Sequence, residues 1–154
     1  MWRELVEGSD GIGVRLFDPA PDGALAEAAR ALGSRLPESL GGLLAETDGI
    51  TDHYGFGIVW PVRELVDRNR EMRETEEFAD LYMAFDGLLF FGEIGEGDLV
   101  GLRVLRGIIP DDVFLWDHET DSRVWVAPSL EAYLRRQLSG GLASGDPAST
   151  RGQR

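Results

Sequence analysis

The sequence predicts an α+β domain: an antiparallel β-meander with helices ahead of it and a C-terminal helix returning onto one face of the sheet. Three observations carry this. Residues 88–91 (Leu-Leu-Phe-Phe) are apolar at every position and bounded by glycines, which marks a central strand buried on both sides. Further β-branched and aromatic runs follow at hairpin distances, at 100–104, 113–116 and 124–127. Behind Pro128 and Ser129, Leu130, Tyr133, Leu134 and Leu138 recur at helical spacing.

Taken in order, residues 1–7 form one or two helical turns with Trp2 and Leu5 inward, ended by the glycine-rich stretch 8–13. Residues 14–17 read as a short edge strand and 18–23 as a proline-rich loop. A helix at 24–32 carries Leu25, Ala28, Ala29 and Leu32 on one face and stops near Gly33. Leu36-Pro37 opens the next, where proline fits the first turn and Glu38 complements the dipole; Leu40, Leu43 and Leu44 form its stripe, and Asp48-Gly49 ends it.

Residues 50–57 read as a polar loop leading to a strand at 56–60. Pro61 then begins a helix with Leu65, Val66, Asn69 and Met72 along one face, and with Arg63 and Asp67, and Glu64 and Arg68, spaced as supporting i,i+4 pairs. Asn69, an amide on an apolar stripe, must be hydrogen-bonded if buried, and the expected partners are backbone groups of a neighbouring loop. Phe78, Leu81, Tyr82 and Phe85 continue at helical spacing through the acidic stretch 73–80, which reads first as a solvated face.

In the meander, Val100, Leu102 and Val104 share one face. Gly95, Gly97 and Asp98 reverse the chain before it, and polar residues 117–122 join the last two strands. Trp116 and Trp125 lie on facing strands with compatible parity and are expected to pair, packing being the first explanation and a peptide-binding shelf the second. After Leu138 the composition collapses to SGGLASGDPASTRGQR, so a single domain is expected over 1–138 and a disordered tail over 139–154.

A chain of 154 residues can bury a proper core without metal or disulfides. It has no cysteine, which excludes a disulfide framework and a thiolate zinc site and fits a reducing cytosol. No signal-type apolar region or bilayer-length apolar run is found, so a cytoplasmic location is expected. All 15 basic residues are arginine, against 28 acids, for a net charge of −13. Such a domain repels nucleic acid and anionic membrane, so neither is expected as a partner. It attracts basic proteins over a Debye length of about 8 Å.

Nucleophilic catalysis needs a Ser, Cys or Thr positioned by a histidine, but neither His53 nor His118 has a serine in a Gly-x-Ser-x-Gly elbow to serve. Gly11-Ile12-Gly13 lacks the third glycine of a phosphate cradle, and the acids around Gly95 and Gly97 repel phosphate. The best metal candidate is the turn holding Asp117, His118, Glu119 and Asp121. Consecutive residues at a strand end point to opposite faces, so Asp117 and His118 are not expected to share an ion. The turn reads instead as a polar hairpin tip in which Asp117 or Asp121 accepts backbone hydrogen bonds. No catalytic residue, cofactor or metal is assigned, and an enzyme is not expected. Candidate partner-binding residues sit in three loops that combine acid with an aromatic or imidazole: Asp52, His53 and Tyr54; Glu96 and Asp98; and Asp117, His118, Glu119 and Asp121.

The segments LLFFGEIGEGDLVGLRV, DDVFLWDHETDSRVWVA and SLEAYLRRQL resemble the core of the SUKH superfamily, the Smi/Knr-type cell-wall regulators and bacterial immunity proteins. A Phe-Gly strand end, a Gly-x-Gly-Asp turn, a Trp-Asp-His-Glu strand end and a Val-Ala step into an amphipathic helix occur in that order. Weaker matches reach upstream through Asn69 and Leu36-Pro37, over residues 22–138. Family members more often carry Asn-Gly in place of Asp48-Gly49, and often Asn in place of Glu96. The resemblance implies a non-enzymatic protein-binding module, used in bacteria largely as an immunity protein against a toxin, often a nuclease. Its alternative is a regulatory scaffold in cell-wall or stress signalling. A nuclease must offer a basic surface to its substrate, which an acidic protein can occupy, so the charge points the same way. A monomer or weak dimer is expected.

Overall fold

The computed structural model describes residues 1–9, 11, 13–95, 97–105 and 110–139. Glu96 and, from residue 140 on, the expected tail lie outside the described residues. In chain order the elements are α1 (Trp2–Glu7), β1 (Arg15–Leu16), α2 (Ala24–Leu32), α3 (Glu38–Glu46), β2 (Ile50–Thr51), β3 (Gly57–Val59), α4 (Val62–Glu74) and α5 (Glu76–Leu81). A 3-10 turn (Phe85–Gly87) leads into β4 (Leu88–Glu93), β5 (Leu99–Arg103), β6 (Val113–Trp116), β7 (Arg123–Ala127) and α6 (Leu130–Leu138). The strands form two antiparallel sheets, ordered β1-β2-β3 and β4-β5-β6-β7. This is the α+β meander expected, with α6 on β7 and a small sheet added at the N-terminal side.

The helices begin and end where local chemistry dictates. Gly33 adopts a left-handed conformation (φ 73°) to close α2. Asp48, just past α3, turns its carboxylate onto the Val62 amide (2.7 Å) and so caps α4 across the β2–β3 hairpin. Ser129 caps α6 by accepting from the Ala132 amide at 3.0 Å. Leu40, Leu43 and Leu44 of α3 and Leu130, Tyr133 and Leu134 of α6 are fully buried.

Two corrections concern strands. Residues 50–57 are not all loop: Ile50 and Thr51 pair with β1 on one side and β3 on the other. A two-residue strand is too short to show alternation, and its Thr masks the buried Ile50. β4 is buried on both faces as expected, but it is the outer strand of its sheet rather than a central one. Its free edge is sealed by substitutes for a strand. Asn69 donates to the Phe90 carbonyl and accepts from the Phe90 amide, both at 2.8 Å, while also donating to Leu65. The amide thus serves a strand, where a loop was expected. Further along, Phe91 bulges out of register and its carbonyl accepts from the Trp60 amide at 2.8 Å, joining the two sheets. At Gly92 the Ile58 carbonyl lies so close that any Cβ would collide with it.

Two expected apolar contacts are also revised. Phe114 faces Trp125 and Trp116 faces Arg123, so the two tryptophans do not pair. Trp116 is 4% exposed, edge-on to Tyr82 and Phe85 (ring centroids 5.1 and 5.2 Å), whereas Trp125 is 52% exposed. Parity was compatible; the register that the turn imposes was not readable from parity alone. Leu81 is 68% exposed, because α5 stops there and Tyr82 turns extended, which breaks the helical phase. Among the described residues no helix is long and apolar enough to cross a membrane.

Candidate partner-binding edge

The β2–β3 hairpin closes on Asp52, whose Oδ1 accepts from the Tyr54 amide (2.9 Å) and the Phe56 amide (3.0 Å). This turn throws its aromatic groups outward: Tyr54 is 75% exposed, and the His53 ring stacks on it at 3.8 Å. His53 in turn presses against Gly13, which stands at positive φ and where the His53 Cβ leaves no room for a side chain.

The β4–β5 turn uses Gly95 and Gly97 at positive φ (44° and 95°). Asp98 then reaches across to the β6–β7 turn. Its Oδ1 accepts from the His118 amide at 3.2 Å and lies 2.8 Å from His118 Nδ1. The hydrogen bond to the Asp98 carboxylate raises the His118 pKa above the ordinary histidine value, outweighing partial desolvation. Tyr82 Oη donates to the His118 carbonyl at 3.0 Å, so the chain ahead of β4 holds the same turn.

Within the β6–β7 turn, Asp117 Oδ1 accepts from the amides of Glu119 (2.9 Å) and Thr120 (3.4 Å). Asp121 stands at φ 59°, a left-handed position for a non-glycine residue. Its carboxylate accepts from Trp116 Nε1 (2.8 Å), the Arg123 guanidinium (2.9 Å) and the Met83 amide (2.9 Å). Burial pushes this carboxyl up, but the Met83, Trp116 and Arg123 donors together hold it below the ordinary aspartate value.

Asp98, Asp117 and His118 bring one ligand atom each to within 4.8 Å of one another. The expectation that Asp117 and His118 diverge is therefore corrected. β6 ends at Trp116, so both residues already belong to the turn, where strand alternation no longer applies. The cluster's chemistry is that of an imidazole–carboxylate pair between two loops, with Nδ1 already engaged by Asp98.

Sequence reasoning missed Glu93. Its Oε2 accepts from the Gly57 amide (3.0 Å) and Trp60 Nε1 (3.1 Å), tying the end of β4 to the β2–β3 hairpin. The available signal was a carboxylate closing an otherwise apolar strand. Glu93 and Asp98 thus link the three candidate loops in series. Of their residues, His53, Tyr54 and Glu119 face solvent, Asp52, Asp117 and His118 are half-buried, and Asp98 and Asp121 are largely enclosed.

A family model, SUKH_6, described as SMI1-KNR4 cell-wall, matches residues 22–134. The chain belongs to the SUKH superfamily. No curated protein matches it. In this SUKH domain the matched span runs from the loop before α2 into α6, leaving out α1 and β1 and taking in all three loops.

Proposed function

We propose that this SUKH domain is a cytoplasmic, non-enzymatic immunity protein of bacterial type that neutralises a basic, nuclease-like toxin by covering its substrate surface. The observation that carries the reading is charge: a net −13 on a chain of 154 residues, with acids on each of three bonded loops. Electrostatics of this kind speeds encounter and selects partners, while a few apolar anchors such as Tyr54 set the lifetime of the complex.

The test is co-expression with any toxin domain encoded beside the gene, followed by association rates across a salt series. A stable complex is expected, forming more slowly as salt rises and silencing the nuclease. Glu119→Arg and Tyr54→Ala are the informative variants, since both side chains are exposed and neither holds the fold. A toxin that stays active, or association indifferent to salt, overturns the reading.

The family description favours a second reading, a regulatory scaffold acting in cell-wall or stress signalling. That role predicts several weak partners and no neighbouring toxin gene.

A further inference from the structure

Two open clefts adjoin at Pro21 and Asp48. One, of about 520 Å³, runs between α2 and α4; Ala24, Ala28, Ala31, Val62 and Val66 supply its apolar lining, and Glu27, Arg63 and Asp67 line it as well. The other, of about 540 Å³, opens beside the β2–β3 hairpin and carries the carboxylates of Asp18, Asp48, Glu64 and Glu93 between the rings of Phe17, Pro19 and Pro61. Asp48 and Glu93 each commit one oxygen to the fold, on Val62 and on Gly57 and Trp60. Among the described residues the second oxygen of each accepts no hydrogen bond. Glu64 shares its charge with Arg68 at 3.5 Å, a guanidinium that itself lies over the Trp60 ring. No arginine lines the acidic half among the described residues.

We infer that these two adjoining clefts dock a basic stretch of a partner protein, one arginine entering the carboxylate cleft while neighbouring aliphatic side chains lie on the alanine–valine lining. The inference deepens the reading of a basic protein partner and rests on it. The chemistry is complementary at both ends. A guanidinium offers a planar fork of donors to carboxylate oxygens, and its aliphatic stem packs on proline and phenyl rings. Small side chains in the lining let a backbone approach closely, which a leucine-lined groove would prevent. The occupant is a separate basic protein rather than a second copy, because a second copy would bring another 28 acids toward the same carboxylates.

The test uses the full chain, labelled with nitrogen-15 and titrated at low salt with the blocked peptide Leu-Arg-Ala-Leu, and in parallel with Leu-Glu-Ala-Leu. Saturating amide shifts at Thr51, Gly57, Ala28 and Val66 are expected with the arginine peptide only. Glu64→Gln should weaken its binding by about fivefold, the scale of one exposed charge pair. Ala31→Phe, at an exposed lining position, should block the apolar cleft. Thermal melts control for folding, and if either variant fails to fold, the shift map of the unaltered protein decides alone. Shifts that gather instead on the 95–98 and 117–121 turns, equal binding of both peptides, or a concentration-dependent dimer in sedimentation that Ala31→Phe dissociates each overturn the inference. Binding of the arginine peptide in the clefts when no neighbouring toxin forms a complex would leave the docking site standing and sink the immunity reading.

Discussion

Asp121 reads in sequence as one more surface acid in a polar turn, yet its carboxylate gathers an indole, a guanidinium and a backbone amide from three different segments. Its loss leaves all three donors short and a non-glycine residue at φ 59°. Asp121→Ala is therefore expected to cost about 3 kcal/mol in urea unfolding, and Asp121→Asn about half of that, since asparagine tolerates the left-handed region and still accepts. Wild-type stability in both variants would show that the carboxylate is not what holds the turn. Because its folded pKa is depressed, the Asp121 contribution is present above the ordinary value of 3.8 and is lost as pH falls through the lower folded value.

His118 has the opposite sign: its raised pKa means a contribution fully present below 6.5 and lost as pH rises through the folded value. An NMR titration of the imidazole should show this raised value returning toward 6.5 in Asp98→Asn. An unchanged titration would mean that Asp98 is not the cause. Both residues were visible in the sequence as candidates, but their roles were not. Trp116 and Arg123 lie near Asp121 in sequence, but Met83 stands 38 positions from it and Asp98 stands 20 from His118, and local pattern carries no record of those contacts.

At the scale of elements, long apolar stripes were legible: α2 and α6 fall where their periodicity puts them, because burying one helical face requires that spacing. The two-residue β2 and the edge position of β4 were not, since neither leaves a periodic trace. Asn69 shows how close the reading came. Its polarity on an apolar stripe demanded a buried partner, and the partner is the open edge of β4. Asn69→Leu keeps the branched shape and strands the amide and carbonyl of Phe90, at about 1–3 kcal/mol for each unsatisfied group. The expected result is a loss of about 3 kcal/mol with faster hydrogen exchange at the Phe90 amide. Unchanged exchange there would assign the sealing of this edge to Trp60 and the close approach at Gly92 alone.

For the whole molecule the governing quantity is the excess of 28 acids over 15 arginines. Charge of one sign held in a compact volume repels itself, and unfolding relieves that repulsion by spreading the charges apart. Screening acts on the same term, with the Debye length falling from about 30 Å at 0.01 M salt to about 8 Å at 0.15 M. Salt also weakens exposed pairs such as Arg70 with Glu74 (3.4 Å) and Arg135 with Glu131 (2.9 Å), but helical pairs of this kind contribute only about 0.3–0.5 kcal/mol each. The repulsion therefore wins. Raising sodium chloride across that range at fixed pH should lift the melting temperature by about 3 °C, the shift that roughly 1 kcal/mol produces in a domain of this size. A flat or falling melting temperature in calorimetry would mean that the ion pairs outweigh the excess charge. A rise would show a folded state carrying uncompensated acid, which a basic partner laid along the acidic cleft relieves just as salt does, so that partner and salt should stabilise less than additively.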